Sequence, residues 1–200
     1  MRDTGPVWAF DLGMDRTGFA AGAPGERPRS GTVLLRRRGE PRAIAFGNFI
    51  AFLQAEWSRE PPRLVAVLKP MHLGGFSNVA EGKGGRGGTS EAAVRASYGQ
   101  NGILEGMCVR FGAPLEELHE MTVTKHFLGT GRIKAERGRS ARDTKKHLMI
   151  VRCHQLKIFG RDKYDPDRAE ACAAHDYACA MFCRTSVSMT SLHFFGEQPR

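Results

Sequence analysis

Three carboxylates near opposite ends of the chain are the residues whose types and spacing point to chemistry. Asp11 closes the apolar run VWAFD, residues 7 to 11, just before a turn opened by Gly13. A charge at the end of a hydrophobic strand cannot be deeply buried without a partner or a metal ion, although a turn-forming aspartate satisfies the same pattern. In YDPDRAEACAAHDYACA, Asp167 and Glu170 stand three residues apart where a helix is predicted to start, which puts both on one helical face. Acidic residues are favoured there by the helix dipole in any case. What distinguishes this pair is the run Ala169, Ala171, Ala173 and Ala174, small enough to let the helix pack tightly on a sheet. Together with Asp11 the pair could then face one cation, and hard oxygen donors suit magnesium or manganese.

The elements that must position these residues follow from periodicity and punctuation. Residues 7–11, 17–22 and 30–38 read as three strands of an antiparallel meander, with the Pro and Gly of AGAPGERPRSG marking the second connection. Apolar residues recur at helical spacing between Pro41 and Arg59, and Pro61 and Pro62 end that helix. LVAVL, residues 64 to 68, is a buried strand that breaks into a Gly-rich loop over 69–89 containing GKGGRGG, expected to be mobile. A helix over 90–111 follows, with Ala93, Tyr98, Ile103, Leu104 and Met107 on its apolar face. A short strand at 115–118 leads into a helix through Thr124 and Lys125, and further helices span 141–155 and 166–183. The order β-β-β-α-β-α-β-α-α gives an α/β fold, a mixed five-stranded sheet flanked by helices in a single domain over 1–200.

Composition narrows the class. With 41% hydrophobic and 26% charged residues the 200-residue chain is that of a soluble globular protein, and no apolar run approaches the roughly 18 residues of a membrane span. The amino terminus has neither the basic start nor the apolar stretch of a signal peptide, so a cytoplasmic location is expected. The five cysteines form no CxxC pair, which argues against a disulfide framework. Cys172, Cys179 and Cys183 share one helix with His175 and read as core, because ligands spread along one helix cannot close a tetrahedral site. The net charge of +9 suggests a polyanionic partner. From Gly131 to Lys163 there are 11 Lys or Arg against 3 Asp or Glu, so nearly all the excess lies in that segment. Smaller basic clusters lie at 83–86, in the Gly-rich loop, and at 36–38.

Four stretches in this order resemble the RuvC-like Holliday junction resolvases of the RNase H-like nuclease superfamily, particularly their compact phage-type members. AFDLGMDRTGFA, residues 9 to 20, is similar to the family's opening strand, acid and Gly turn. SYGQNGILEGMCVRFGAPLEEL resembles its long central helix and short strand, and TVTKHFLGTGRIKA its Lys segment and Gly-x-Gly turn. DRAEACA, residues 167 to 173, is similar to its closing acid-x-x-acid helix.

The resemblance implies an RNase H-like fold, cleavage of branched DNA, a two-fold dimer, and two Mg2+ ions, with Mn2+ as substitute, held by four carboxylates. Asp11 matches the first acid, Asp167 the third and Glu170, where Asp is more usual, the fourth. At the second stands Leu68: AVLKPM occupies the place of a pattern like AVE-x-P, and leucine cannot bind a cation. Two readings follow: an active endonuclease in which Glu81 or Glu105 substitutes, or a branched-DNA-binding protein impaired in cleavage. A basic α/β protein that binds RNA or a nucleotide is the third. For DNA contacts the candidates are Arg86, Lys125, Arg132, Lys134, Lys145 and Lys146. His175 and Asp176 either approach the site or face solvent; Phe76 and Tyr98 either stack on bases or anchor core and loop.

Overall fold

The computed structural model of the chain describes residues 5–68, 91–136, 138–160 and 164–183. Its strands are β1 (Val7–Asp11), β2 (Arg16–Gly22), β3 (Arg29–Leu34), β4 (Leu64–Leu68) and β5 (Leu115–Leu118). The helices are α1 (Arg42–Arg59), α2 (Glu91–Phe111), α3 (Glu120–Leu128), α4 (Ala141–Gln155) and α5 (Pro166–Phe182). The sheet order is β3-β2-β1-β4-β5. β1 and β3 pair antiparallel with β2, whereas β4 lies parallel to both β1 and β5. This is the mixed five-stranded sheet that the residue pattern predicts. Parallel neighbours need long crossovers, and α1 lies between β3 and β4 in the chain, as α2 does between β4 and β5.

Apart from Asp11, the central strands β1 and β4 are apolar because both faces are covered. Alternate residues of β1 and β4 go to opposite sides. Trp8, Phe10, Val65 and Val67 pack with Phe49, Leu53 and Trp57 of α1 and Leu104 of α2. Val7, Ala9, Leu64 and Ala66 pack beneath α3, α4 and α5, with Phe127, Met149 and the α5 alanines. The first face is aromatic: Trp8 lies 5.8 Å from Phe19 and meets Trp57 edge-on at 6.3 Å, and the Arg29 guanidinium sits 5.2 Å above the Trp8 ring. The second face is built of small side chains, and there α5 lies close to the sheet, with Ala169, Ala171, Ala173 and Ala174 fully buried.

Three details differ from the expectation. β3 ends at Leu34, so Arg36–Arg38 lie beyond the strand, where Arg36 pairs with Asp15 at 2.7 Å. Tyr98 is 42% exposed, and the covered face of α2 carries the expected Leu104 and Met107 together with Val94, Ala96, Gln100 and Cys108. Gln100 explains that choice, since its Nε2 donates to the Gly13 carbonyl at 3.0 Å and ties α2 to the turn after β1. His175 and Asp176 do not face solvent; both are buried. All five cysteines are buried and none forms a disulfide, as expected of core residues. The loop over 69–89, with Glu81, Arg86 and Phe76, lies outside the described residues. Among the described residues no helix is long and apolar enough to cross a membrane.

His175 Nε2 donates to the Gly22 carbonyl at 3.3 Å, and burial holds the imidazole pKa below its ordinary 6.5. The unfolded chain therefore takes up a proton near pH 6.5 that the folded chain refuses, and stability present above that pH is lost as the medium becomes more acidic. Chemical denaturation of the wild type at pH 7 and pH 5 should show this loss, and His175→Gln should flatten it; an equally steep loss in the variant would assign it to other groups.

Candidate metal centre and nucleic-acid interface

Asp11 ends β1 on the face that Val7 and Ala9 turn toward α5, so its carboxylate emerges where α5 begins. The first turn of α5 is fixed from several directions. Asp165 is the N-cap, accepting from the Arg168 N–H at 3.1 Å and from the Thr32 hydroxyl at 2.7 and 2.8 Å. Pro166 follows it in the first turn, where its lost N–H costs nothing. Arg168 Nε donates to the Ser30 hydroxyl at 2.9 Å, and its guanidinium lies 4.3 Å over the Phe159 ring. β3 thus anchors the turn that carries Asp167 and Glu170. At Gly18, paired with Asp11 across β1 and β2, a Cβ would stand 2.0 Å from the Asp167 carbonyl oxygen. Glycine there lets α5 come down beside Asp11.

The result is a cluster in which Asp11, Asp167 and Glu170 each offer an oxygen within 4.8 Å of the others. Among the described residues it is the one group of three or more potential ligands. Burial, the repulsion of Glu170, a hydrogen bond shared with Glu170 and the charge of Asp167 push the Asp11 carboxyl well above the usual carboxylate range, while Lys146 opposes the shift. Carboxylates crowded in this way disfavour the charged form of Asp11. Crowded hard oxygens carrying more negative charge than they tolerate are a fitting donor set for a magnesium or manganese ion.

Cations surround the cluster. Asp167 pairs with Arg16 at 2.8 Å and lies 3.7 Å from Lys146. Arg142 joins Arg16 and Lys146 in lining the solvent-open cleft of about 310 Å³ that holds all three carboxylates. Lys145 pairs with both Glu170 and Glu120. Burial alone would lower the pKa of its ammonium, but the two carboxylates more than offset this and raise it above the ordinary value.

Leu68 stands next to this cluster. β1 and β4 pair with Phe10 opposite Val67, and the next pair in that register is Asp11 with Leu68. Leu68 also lines a narrow space with Glu170, Lys145 and Glu120. Glu105 is exposed on α2, accepts from Asn101 Nδ2 at 3.1 Å, and is not part of the carboxylate cluster.

The remaining basic candidates divide. Lys125, Arg132 and Lys134 are exposed on α3 and the segment after it, apart from the residues that line the cleft. Lys146 lines the cleft itself. Lys145 is mostly buried, its side chain 13% exposed, with its ammonium between the carboxylates of Glu120 and Glu170. Arg16, Arg142, Glu120 and Gly18 escaped the sequence reading; only Gly18, a glycine inside a strand, carried a recognisable signal.

Neither protein-family models nor curated proteins match the chain. Among solved structures, Thermus thermophilus RuvC matches with a TM-score of 0.60 at 17% identity, covering 88% of this chain and 96% of that one. The chain has the RuvC fold. A second match, T. thermophilus RuvC in complex with Holliday junction substrate, covers 88% of this chain and 94% of that one, with a TM-score of 0.59 at 15% identity. The RuvC-like framework accounts for the resemblance seen in the four sequence stretches, and at this identity it speaks for the fold.

Proposed function

We propose that the chain is a single-domain, metal-dependent endonuclease that acts on branched DNA such as Holliday junctions, working as a homodimer. One observation carries the reading: three carboxylates from β1 and α5 converge in an open cleft whose rim is cationic. Asp11, Asp167 and Glu170 would hold a magnesium or manganese ion. Such an ion, when bound, neutralises the phosphodiester and lowers the pKa of water for attack. Arg142 and Lys146 on the rim would receive the phosphate backbone, with Lys125, Arg132 and Lys134 extending the basic surface. The RuvC structure that shares the fold is bound to a Holliday junction, which supports a branched substrate for this chain. A two-fold dimer would match the symmetry of a four-way junction. The two ions implied by the resemblance would need all four carboxylates, and Leu68 fills the expected position of the second.

That leucine favours a second reading, a branched-DNA-binding protein impaired in cleavage. A labelled four-way junction and a linear duplex, each with Mg2+, Mn2+ or chelator, separate the possibilities. Nicks confined to the junction and to the cation-containing samples support the endonuclease. Junction-selective binding without nicks at any cation concentration assigns the second reading. Equal affinity for the two DNAs at matched salt would sink both in favour of a shape-blind polyanion binder.

Arg142→Glu combined with Lys146→Glu should weaken junction binding measured in chelator. It should also flatten the salt dependence, by about 0.9 in log K against log salt for each phosphate that is no longer neutralised. An unchanged slope would remove these residues from the interface.

A further inference from the structure

Glu170 stands between two spaces of opposite character. On one side is the open cleft that it shares with Asp11 and Asp167. On the other is a narrow space walled by Leu68, Glu120, Val123, Thr124, Lys145 and Met149, too tight to admit water. Lys145 enters that space from α4, and its ammonium pairs with Oε1 of Glu170 and Oε1 of Glu120. One oxygen of Glu170 is therefore already committed to a cation belonging to the chain.

We propose that the Lys145 ammonium takes the place of a second metal ion, so that the site holds a single divalent cation and Lys145 acts as a positioning residue for Glu170. This rests on the reading that the three carboxylates bind a divalent ion. Charge and space agree. A fourth carboxylate at position 68 would add one negative charge and call for a second dication. Leucine removes that charge, and Lys145 supplies a positive one on the same side of Glu170. A hydrated ion cannot enter a space too small for water, whereas an ammonium on its own methylene stem fills it without a hydration shell. Leu68 and Lys145 form a matched pair, the first withholding a ligand and the second a vacancy.

The test is the number of Mn2+ ions bound per full-length chain, by equilibrium dialysis and by electron paramagnetic resonance. The wild type should bind one ion, with the spectrum of an isolated centre. Leu68→Glu alone should still bind one, because the new carboxylate pairs with Lys145. Leu68→Glu with Lys145→Gln should bind two and show an exchange-coupled spectrum. Lys145→Arg in the Leu68→Glu background should return the count to one. Two ions in the wild type or in Leu68→Glu alone would overturn the proposal, as would a folded double variant that holds one. Lys145→Met, which keeps the apolar stem, replaces Lys145→Gln if the latter fails to fold. No ion bound to the wild type at millimolar Mn2+ would instead remove the metal site beneath the proposal.

Discussion

Asp11→Asn is expected to lower cation-dependent nicking of a four-way junction by on the order of 10³-fold or more, while raising the melting temperature of the cation-free protein. Even outer partners of metal ligands cost about 10- to 100-fold when removed, and Asp11 is one of the three carboxylates of the cluster among the described residues. The opposite effect on stability follows from the same crowding. Burial and the charges of Glu170 and Asp167 raise the Asp11 pKa, so the folded chain holds a proton that the unfolded chain has released above its ordinary 3.8. Folded stability therefore falls as the pH rises through the raised pKa. An asparagine carries no charge to repel, and each kcal/mol recovered raises Tm by about 2–4 °C in a chain of this size. Melting curves at pH 8 in chelator and in Mg2+ provide the check. The variant should be the more stable in chelator, and only the wild type should gain from Mg2+. A variant less stable than the wild type in chelator would show that Asp11 is not crowded in this way.

The architecture was legible in the chain because its signals are local. The apolar runs at 7–11 and 64–68, the helical periodicity at 42–59 and the alanines after Asp167 each specify an element without reference to the rest. Every strand and helix lies within a few residues of where those signals place it. The acids Asp11, Asp167 and Glu170 were legible for the same reason, since each has a characteristic place at an element's end. What escaped depends on pairing between distant segments. Lys145 looks like one more charge in a basic stretch, and nothing local reveals that Glu120 and Glu170 meet it inside the fold. Asp165 gives no hint that its partner is Thr32, 133 residues earlier. The ring of Tyr98 suggests a core position, yet the place inside belongs to Gln100, whose amide reaches a backbone carbonyl after β1. Polar groups buried through long-range hydrogen bonds are the class that hydrophobic patterning misses.

Gly18→Ala is expected to cost about 3 kcal/mol of stability and to weaken Mn2+ binding at the carboxylate cluster by about 10- to 100-fold. A Cβ at this position would stand 2.0 Å from the Asp167 carbonyl oxygen, 2.3 Å from its carbon and 2.9 Å from the Arg168 nitrogen. All three are backbone atoms of the first turn of α5, so no rotamer change relieves the overlap. Either β2 bends or the turn lifts off the sheet. Lifting opposes the Asp165–Thr32 and Arg168–Ser30 hydrogen bonds and the packing of fully buried Ala169 and Ala173. Overpacking in a tight interior costs about 1–3 kcal/mol and occasionally more, and a clash against backbone belongs at the upper end. The displacement also carries Asp167 away from Asp11, and a shift of about 1 Å can cost 10²-fold where geometry decides function. Gly47→Ala is the matching control: it lies in α1 with nothing within 4 Å of the new methyl. By helix propensity it should stabilise by about 0.5–1 kcal/mol. Denaturant unfolding and Mn2+ titration of both variants decide the matter. If Gly18→Ala kept wild-type stability and affinity, α5 would not rest on β2 as described, and the close approach that seats Asp167 beside Asp11 would have to come from elsewhere.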